Sequence, residues 1–313
     1  MKKVAELIKN AKSAVLLPHI SADADALASC QAMRCALESF GIDAVIIAEE
    51  KVEPRLSFIG DDVCVFDGDI LEFDTCIVLD CGDLERIGKR AEIVNSAKTV
   101  INIDHHRTNK GFGDVSLVCA DASATGEILY TLFKEMDVEI TQKIAKYLYT
   151  AICSDTGCFA YSNVSPQTFI TASELIRYDI NHAEIARLLF DCVDIDEELL
   201  KAELTKNIKS YCDGKVTTVT MTEEFAKRFN LNSDEVDGLV DIPRRIRGTE
   251  IAVSLKEVNG KIRVSLRSNG DADVSKVALK FDGGGHIKAA GCSIYKSIEE
   301  AEAMVVAACE EVL

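Results

Sequence analysis

The first half of the chain alternates short apolar runs with amphipathic stretches. "SAVLLPH", "DAVIIAE", "TCIVLDCGD", "KTVINIDHH" and "TAICSDTG" are near-continuous apolar runs, a pattern that predicts strands buried on both faces. Between several of them lie segments such as "DALASCQAMRCALESFG", with apolar residues at helical spacing and Gly41 as a stop. Such alternation predicts a parallel sheet with helices on both faces, an α/β domain. A second helical region runs from "SPQTFITASELIRYD" to "EELLKAELTKNIKSY". The pattern then changes near Asp213. "KVTTVTMT", "TEIAVSLKEVNGKIRVSLRS" and "GCSIYK" read as antiparallel strands, with an Asn-Gly hairpin turn in "VNGK". Helices are expected to begin near Ser233, Ser275, Gly285 and Ser297. The expected architecture is a parallel-sheet domain over residues 1–194, a linker helix over 195–212 and a smaller α+β domain over 213–313.

A length of 313 residues suits this division, since domains run ~100–200 residues. Hydrophobic content of 48% without any apolar run near the ~20 residues that span a bilayer argues against a membrane. The N-terminal "MKKVAELIKNAKS" starts basic, but Glu6, Lys9 and Lys12 interrupt a signal-peptide core. It reads as a surface helix of a cytoplasmic protein. The twelve cysteines form no CxxC pair and sit mostly in apolar context, which suggests small buried thiols rather than a disulfide framework. A net charge of −17 makes long duplex DNA an unsuitable partner. Residues 244 to 296 depart from it, with eleven Lys/Arg against five Asp/Glu, a net of +6. A short anion can bind where positive charge is concentrated in this way.

Four of the five β-type runs deliver aspartate at or just beyond their ends, two of them with histidine. "AVLLP" delivers His19, Asp23 and Asp25. "CIVLD" delivers Asp80, with Asp83 close behind. "VINID" delivers Asp104, His105 and His106, and "TAICSD" delivers Asp155. The carboxyl ends of parallel strands share one edge, so these side chains should converge. Singly, each has a plainer reading: Asp at a strand-to-helix junction is a common N-cap, and Asp25 or Asp155 alone would be that. Together they pose an electrostatic problem. Several aspartates within a few ångströms repel one another, and the cluster persists only by sharing protons, pairing with Lys/Arg or holding cations. Arg86 and Arg107 lie only at the margins of these motifs. Mixed imidazole and carboxylate ligation of divalent ions is the simplest account. The carboxylates outnumber the needs of one ion, which points to two sharing a carboxylate. Ions ~3.5–4 Å apart suit phosphoester hydrolysis. The remaining histidine outside these motifs and the glycine run, His182, reads as a helix-start residue.

Two later features bear on substrate. "DGGGHIKAAG" lacks dinucleotide-binding context. Three glycines before a helix start would let backbone N–H groups line an anion-binding concavity, with His286 at its edge. Arg267, in "VSLRS", can match a terminal phosphate bidentately or simply decorate a solvated strand face. Arg244, Arg245 and Arg247 are open between a solvated turn and a binding patch. Phe159 and Tyr161 follow Asp155; core packing is the expected role of Phe159, with base stacking the alternative.

"HxxxDxD", the "LDCGD" aspartate, "DHH" and "SDTG", in that order, resemble the four motifs of the DHH phosphoesterase superfamily. "FDGGGHIKAAGC", preceded by "VSLRS", resembles its DHHA1 substrate domain, so the resemblance spans nearly the whole chain. The combination is similar to bacterial oligoribonucleases that also dephosphorylate 3′-phosphoadenosine 5′-phosphate. The resemblance implies two ions, Mn2+ by preference over Mg2+ or Co2+. It assigns His19, Asp23 and Asp80 to one, and Asp25, Asp80, His105 and Asp155 to the other. It makes Asp104 the residue that orients His105, and places His106 against substrate phosphate. It assigns Arg267, Gly283, Gly284, Gly285 and His286 to the substrate's terminal phosphate, in a cleft between the domains. Ala22 and Ala24 stand where the family pattern has Pro and Gly, so an altered loop geometry is expected with the ligands unchanged. The implied substrates are short single-stranded RNA or a small nucleotide, and a homodimer is a compatible assembly. The rival activities are a phosphodiesterase acting on cyclic or linear dinucleotides and an inorganic pyrophosphatase, the latter disfavoured by the glycine-rich domain. From another class, a non-catalytic nucleotide or metal sensor stays open.

Overall fold

The computed structural model describes residues 1–60, 62–69 and 72–313. The chain divides into two compact units, Met1–Cys192 and Val193–Leu313.

The first unit carries six strands: β1 (Ser13–Leu17), β2 (Asp43–Ala48), β3 (Cys64–Val65), β4 (Thr75–Leu79), β5 (Thr99–Asp104) and β6 (Val115–Val118). They form a parallel sheet in the order β3-β2-β1-β4-β5-β6. Its helices are α1 (Lys2–Lys9), α2 (Ala24–Ser39), α3 (Ala91–Ser96), α4 (Thr125–Glu135), α5 (Gln142–Asp155), α6 (Pro166–Ile176) and α7 (His182–Ala186). The two-residue period of a strand explains why the runs are apolar throughout. Ala14, Leu16, Ile77, Leu79, Ile101 and Ile103 enter a core with α2, α4 and α5. Val15, Leu17, Cys76, Val78 and Val100 enter a second core with Ile87, Ile93 and Val94. The chain winds outward from β1 to β3, then returns to β4 on the other side of β1. The junction of β1 and β4 is therefore the switch point of the sheet, where ligands of open α/β sheets bind.

One expected strand is a helix. "TAICSD" closes α5, which begins with the Thr141 hydroxyl accepting from the Ile144 N–H at 3.3 Å. Ile144, Ala145, Leu148, Tyr149 and Ile152 are buried at helical spacing. A short continuous apolar run does not distinguish a buried strand from a buried helical turn. Strands β3 and β6, too short to stand out as runs, were not expected.

The second unit contains α8 (Ile195–Lys206), β7 (Lys209–Tyr211), β8 (Val216–Met221), α9 (Glu223–Lys227), α10 (Asp241–Arg244), β9 (Ile251–Val258), β10 (Lys261–Ser268), α11 (Val274–Leu279), β11 (Gly284–His286), β12 (Ala289–Ile294) and α12 (Ile298–Glu310). The strands form one sheet ordered β11-β12-β10-β9-β8-β7. It is not wholly antiparallel as expected: β8 and β9 run parallel, because α9 and α10 lie in the connection between them. Asn259 and Gly260 make the expected turn between β9 and β10, both at positive φ. A linker helix was expected over residues 195–212; the helix there is α8, Ile195–Lys206, which packs Leu200 and Leu204 against Val219, Met221 and Leu239.

The glycine run also departs from expectation. Gly284 to His286 do not open a helix; they form an edge strand paired with β12. A Cβ on Gly283 would lie 2.3 Å from the Gly291 carbonyl oxygen, and one on Gly285 (φ +142°) 2.5 Å from that of Ala289. These two glycines are required by close strand packing, while Gly284 has open space around it. Ser233 begins only one 3-10 turn, Asp273 rather than Ser275 caps α11, and Ser297 caps α12 in a capping box as its sequence suggests. All twelve cysteines are free thiols; Cys30, Cys76, Cys81, Cys153 and Cys309 are buried, but Cys64, Cys158 and Cys192 are exposed.

Candidate metal centre

The ends of β1, β4 and β5 and the end of α5 bring six side chains together. Asp23 follows β1 and is the N-cap of α2, its Oδ1 accepting from the Ala26 N–H at 3.0 Å. Capping and clustering are thus not alternatives here: one oxygen caps, and the other lies 3.6 Å from His19 Nε2. Asp25 sits in the first turn of α2, 1% exposed. Asp80 leaves β4 in a left-handed conformation, φ +56°, uncommon for a residue other than glycine. Ala24 is the first residue of α2 and has no positive φ, so this loop has no conformational need for glycine there. Ser21, at φ +52°, takes the strained turn instead.

Asp80 is the centre of the arrangement. Its Oδ2 lies 3.7 Å from His19 Nε2, and its Oδ1 lies 3.5 Å from His105 Nε2. Around His105 Nε2 are also Asp155 Oδ2 at 3.4 Å and Asp25 Oδ2 at 4.0 Å. Three overlapping groupings of potential ligands result, His19–Asp23–Asp80, Asp25–His105–Asp155 and Asp80–His105–His106, with Asp80 facing both His19 and His105. Asp155 arrives from a helix end rather than a strand end.

The donor chemistry fits divalent cations. His19 Nδ1 lies 2.6 Å from the Ile20 carbonyl oxygen and His105 Nδ1 3.3 Å from that of Ala122. A carbonyl only accepts, so a proton on each Nδ1 satisfies it and leaves each Nε2 a lone pair. Those lone pairs face carboxylates, which is repulsive without a cation between them. The carboxylates show the same imbalance. Burial, then the charges of Asp25, Asp23 and Asp155, push the Asp80 carboxyl well above its ordinary range. Burial likewise raises Asp25, and burial with the charge of Asp25 raises Asp155 to about 7.

His106 is held differently. Its Nδ1 lies 2.7 Å from Asp104 Oδ1 and 3.8 Å from Asp80 Oδ1, so that nitrogen is committed to Asp104. The expectation that Asp104 orients His105 is therefore corrected: Asp104 orients His106, and the Ala122 carbonyl serves His105. The hydrogen bond to Asp104 raises His106, while burial opposes ionisation of Asp104 and is outweighed by His106 and Asn109.

Several supporting residues carry no signal in the sequence. The Thr125 hydroxyl donates to Asp80 Oδ1 at 2.9 Å. The N–H groups of Thr125 and Gly126 donate to Asp25 at 2.8 and 3.2 Å, and Ser29 Oγ donates to it at 3.0 Å. Helix α4 lacks a side-chain cap of its own at Ala124, and Asp25 takes that place. Asn109 Nδ2 donates to Asp104 Oδ2 at 2.6 Å and to Asn102 Oδ1 at 2.8 Å.

In the second unit, β10, β12 and β11 align Arg267, Ala289 and His286 in one cross-strand row. Residues directly opposite in antiparallel strands project to the same face. Ser265, Gly291 and Gly284 form the next row on that face. Val264, Leu266 and Ala290 point to the opposite face, into the core with α11 and α12. Arg267 and His286 thus share a face whose nearest residues are small. Arg267 is half-buried and its Nη1 donates to the Leu266 carbonyl at 3.1 Å; His286 is exposed. Arg244 pairs with Asp241 at 3.3 Å, whereas Arg245 and Arg247 are exposed. Phe159 stacks on Phe169 with centroids 5.6 Å apart and packs on the main core, the role expected of it.

The DHH family, N-terminal domain, matches residues 13–152, and the DHHA1 domain matches residues 213–313. The probable bifunctional oligoribonuclease and PAP phosphatase NrnA of Streptococcus mutans is 29% identical, over 95% of this chain and 94% of its own. The bifunctional oligoribonuclease and PAP phosphatase NrnA of Bacillus subtilis is 30% identical, over 92% of this chain and 91% of its own. The crystal structure of an exopolyphosphatase-related protein from Bacteroides fragilis superposes with a TM-score of 0.92 at 26% identity, covering 99% of this chain and 95% of that one. With both domains matched in order and relatives aligned over nearly the full length, the chain belongs to the DHH family, its DHH domain followed by a DHHA1 domain.

Proposed function

We propose that this protein is a metal-dependent phosphoesterase that hydrolyses short oligoribonucleotides and 3′-phosphoadenosine 5′-phosphate. The observation that carries the reading is Asp80, one carboxylate whose two oxygens face two histidines of separate ligand groupings. Relatives named for oligoribonuclease and PAP phosphatase activity support the substrate class. His19, Asp23 and Asp80 would hold one ion, and Asp25, Asp80, His105 and Asp155 the other, with Mn2+ the preferred metal. When bound, two such ions supply Lewis acidity toward phosphoryl oxygens and an acidified water.

The chain's own residues do the rest. Asp104 accepts from His106 Nδ1–H and favours the cationic imidazole, whose Nε2–H can be offered to a phosphoryl oxygen as charge builds there. Asn109 keeps Asp104 in place. Arg267 and His286 on the exposed sheet face, with the backbone of Gly283, Gly284 and Gly285, bind the substrate's terminal phosphate. A bidentate guanidinium suits that dianion. A net charge of −17 keeps extended duplex DNA off the rest of the surface. The test is turnover in Mn2+ of a panel: 5′-phosphorylated di- to pentaribonucleotides, 3′-phosphoadenosine 5′-phosphate, and cyclic and linear dinucleotides. Hydrolysis of the first two classes is expected. If both stayed intact the reading would fail, and turnover confined to dinucleotides would move it to the phosphodiesterase alternative.

A further inference from the structure

Arg86 lies beside the metal centre and has no role in the assignments above. It belongs to the turn after β4, and its backbone is tied to the loop that carries His19. The Ile20 N–H donates to the Arg86 carbonyl at 2.8 Å, and the Arg86 N–H donates to Asp83 Oδ1 at 3.0 Å. At Gly88, φ +65°, a Cβ would meet Ile20 Cγ2 at 2.8 Å, so the absence of a side chain lets this turn close on the loop. The guanidinium is half-buried, and its Nη2 lies 3.1 Å from His19 Nδ1. Among the described residues no carboxylate lies within 4.0 Å of it, although Asp23 and His106 both feel its charge.

The same His19 Nδ1 lies 2.6 Å from the Ile20 carbonyl oxygen. The two neighbours make opposite demands on one nitrogen. The carbonyl requires a proton on it; the guanidinium, which only donates, requires a lone pair. With the proton on Nδ1, Nε2 can ligate a cation and Arg86 faces an N–H it cannot use. With the proton on Nε2, Arg86 is satisfied, the carbonyl loses its donor and ligation is blocked. A cation on Nε2 therefore selects the state in which Arg86 has no acceptor.

We propose that Arg86 binds a phosphoryl oxygen of the substrate at the metal centre, and that cation binding through His19 releases its guanidinium to do so. The proposal rests on the two-metal reading above. The ligand class is an anionic phosphate ester or inorganic phosphate, with an oxygen replacing His19 Nδ1 as the acceptor for Nη2. Phosphate affinity then depends on the cation twice, through direct coordination and through the freed arginine. A purely structural Arg86, serving only to hold His19, would instead be needed for metal binding itself.

The experiment measures Mg2+ or Mn2+ content and inorganic phosphate affinity in wild type, Arg86→Gln and Arg86→Lys, with melting curves to verify folding. Both variants are expected to retain both ions, because Arg86 is not a ligand and its contact with His19 Nδ1 is given up once Nε2 holds a cation. Phosphate affinity of the Mg2+-loaded protein is expected to fall by at least about 10-fold in Arg86→Gln, the loss of a charge-assisted bond, and less in Arg86→Lys. Loss of metal from the variants, or unchanged phosphate affinity in them, overturns the proposal. A further measurement needs no variant. 15N shifts of the His19 ring in wild type should show the proton on Nδ1 once Mg2+ is bound; a proton on Nε2 in the loaded state overturns it. Failure of the substrate panel would sink the activity reading without altering these binding results, so the two failures are distinguishable.

Discussion

The candidate metal centre of the first unit and the polar sheet face of the second are built in opposite ways. In the first, Asp25, Asp80, Asp104 and His19 are 0–3% exposed; Thr125 at the start of α4 holds Asp25 and Asp80, His106 and Asn109 hold Asp104, and the Ile20 carbonyl holds His19. In the second, Gly284 to His286 are exposed on an edge strand, and Arg267 and His286 meet only through strand register. A buried cluster of carboxylates has its geometry set by the fold and is unfavourable until cations arrive. An exposed face with an arginine, a histidine and small residues between them is suited to grip a phosphate that comes and goes. The proposed function places chemistry in one region and recognition in the other, a division that can be broken at either end.

The largest effect is expected at Asp80. Asp80→Asn removes charge from both ligand groupings while keeping the Thr125 hydrogen bond, so kcat should fall by at least about 10²-fold with loss of bound metal. Wild-type metal stoichiometry in this variant would break the claim that the carboxylate serves both groupings. Next comes His106. His106→Asn should lower kcat by about 10²–10³-fold with metal content retained, as for loss of a donor that acts on developing charge. Asn109→Ala, which loosens Asp104, should give a smaller loss of about 10-fold in the same parameter. A change confined to KM in either variant would move His106 to the recognition side. Arg267→Ala and His286→Ala should each raise KM by about 10-fold or more with metal content unchanged, the loss of one charge-assisted contact. A fall in kcat alone would erase the division between the regions.

The smallest effect is on stability. In the unfolded chain Asp155 ionises near 3.8; in the fold it is raised to about 7, with Asp25 and Asp80 also raised. The unfolded state therefore releases protons first. Stability present below pH 4 should decline as pH rises through about 7 in cation-free protein. Melting temperature without cations should fall between pH 5 and pH 8, and the gain on adding Mn2+ should grow over the same range. A metal-induced gain independent of pH would contradict the electrostatic picture of the cluster.

Much of this was legible in the chain. Apolar runs ending in Asp or His mark β1, β4 and β5, because a strand buried on both faces meets solvent only at its end. Asp155 lies beside His105 but at a helix end rather than the expected strand end, since "TAIC" fits a buried helical turn as well as a buried strand. The glycine run showed where backbone is crowded but not by what: at Gly283 and Gly285 the neighbour is β12. Thr125 and Asn109 were invisible, because their roles depend on contacts with Asp80 and Asp104 that only the folded topology makes. Arg86 was noted only as marginal, since nothing in "LERIGKR" shows a guanidinium against the His19 ring.

The most direct test of the two-metal centre is anomalous diffraction from crystals grown with Mn2+. Two peaks about 3.5–4 Å apart are expected, one among His19, Asp23 and Asp80 and the other among Asp25, Asp80, His105 and Asp155. A single peak, or two with no shared Asp80 ligand, would contradict it.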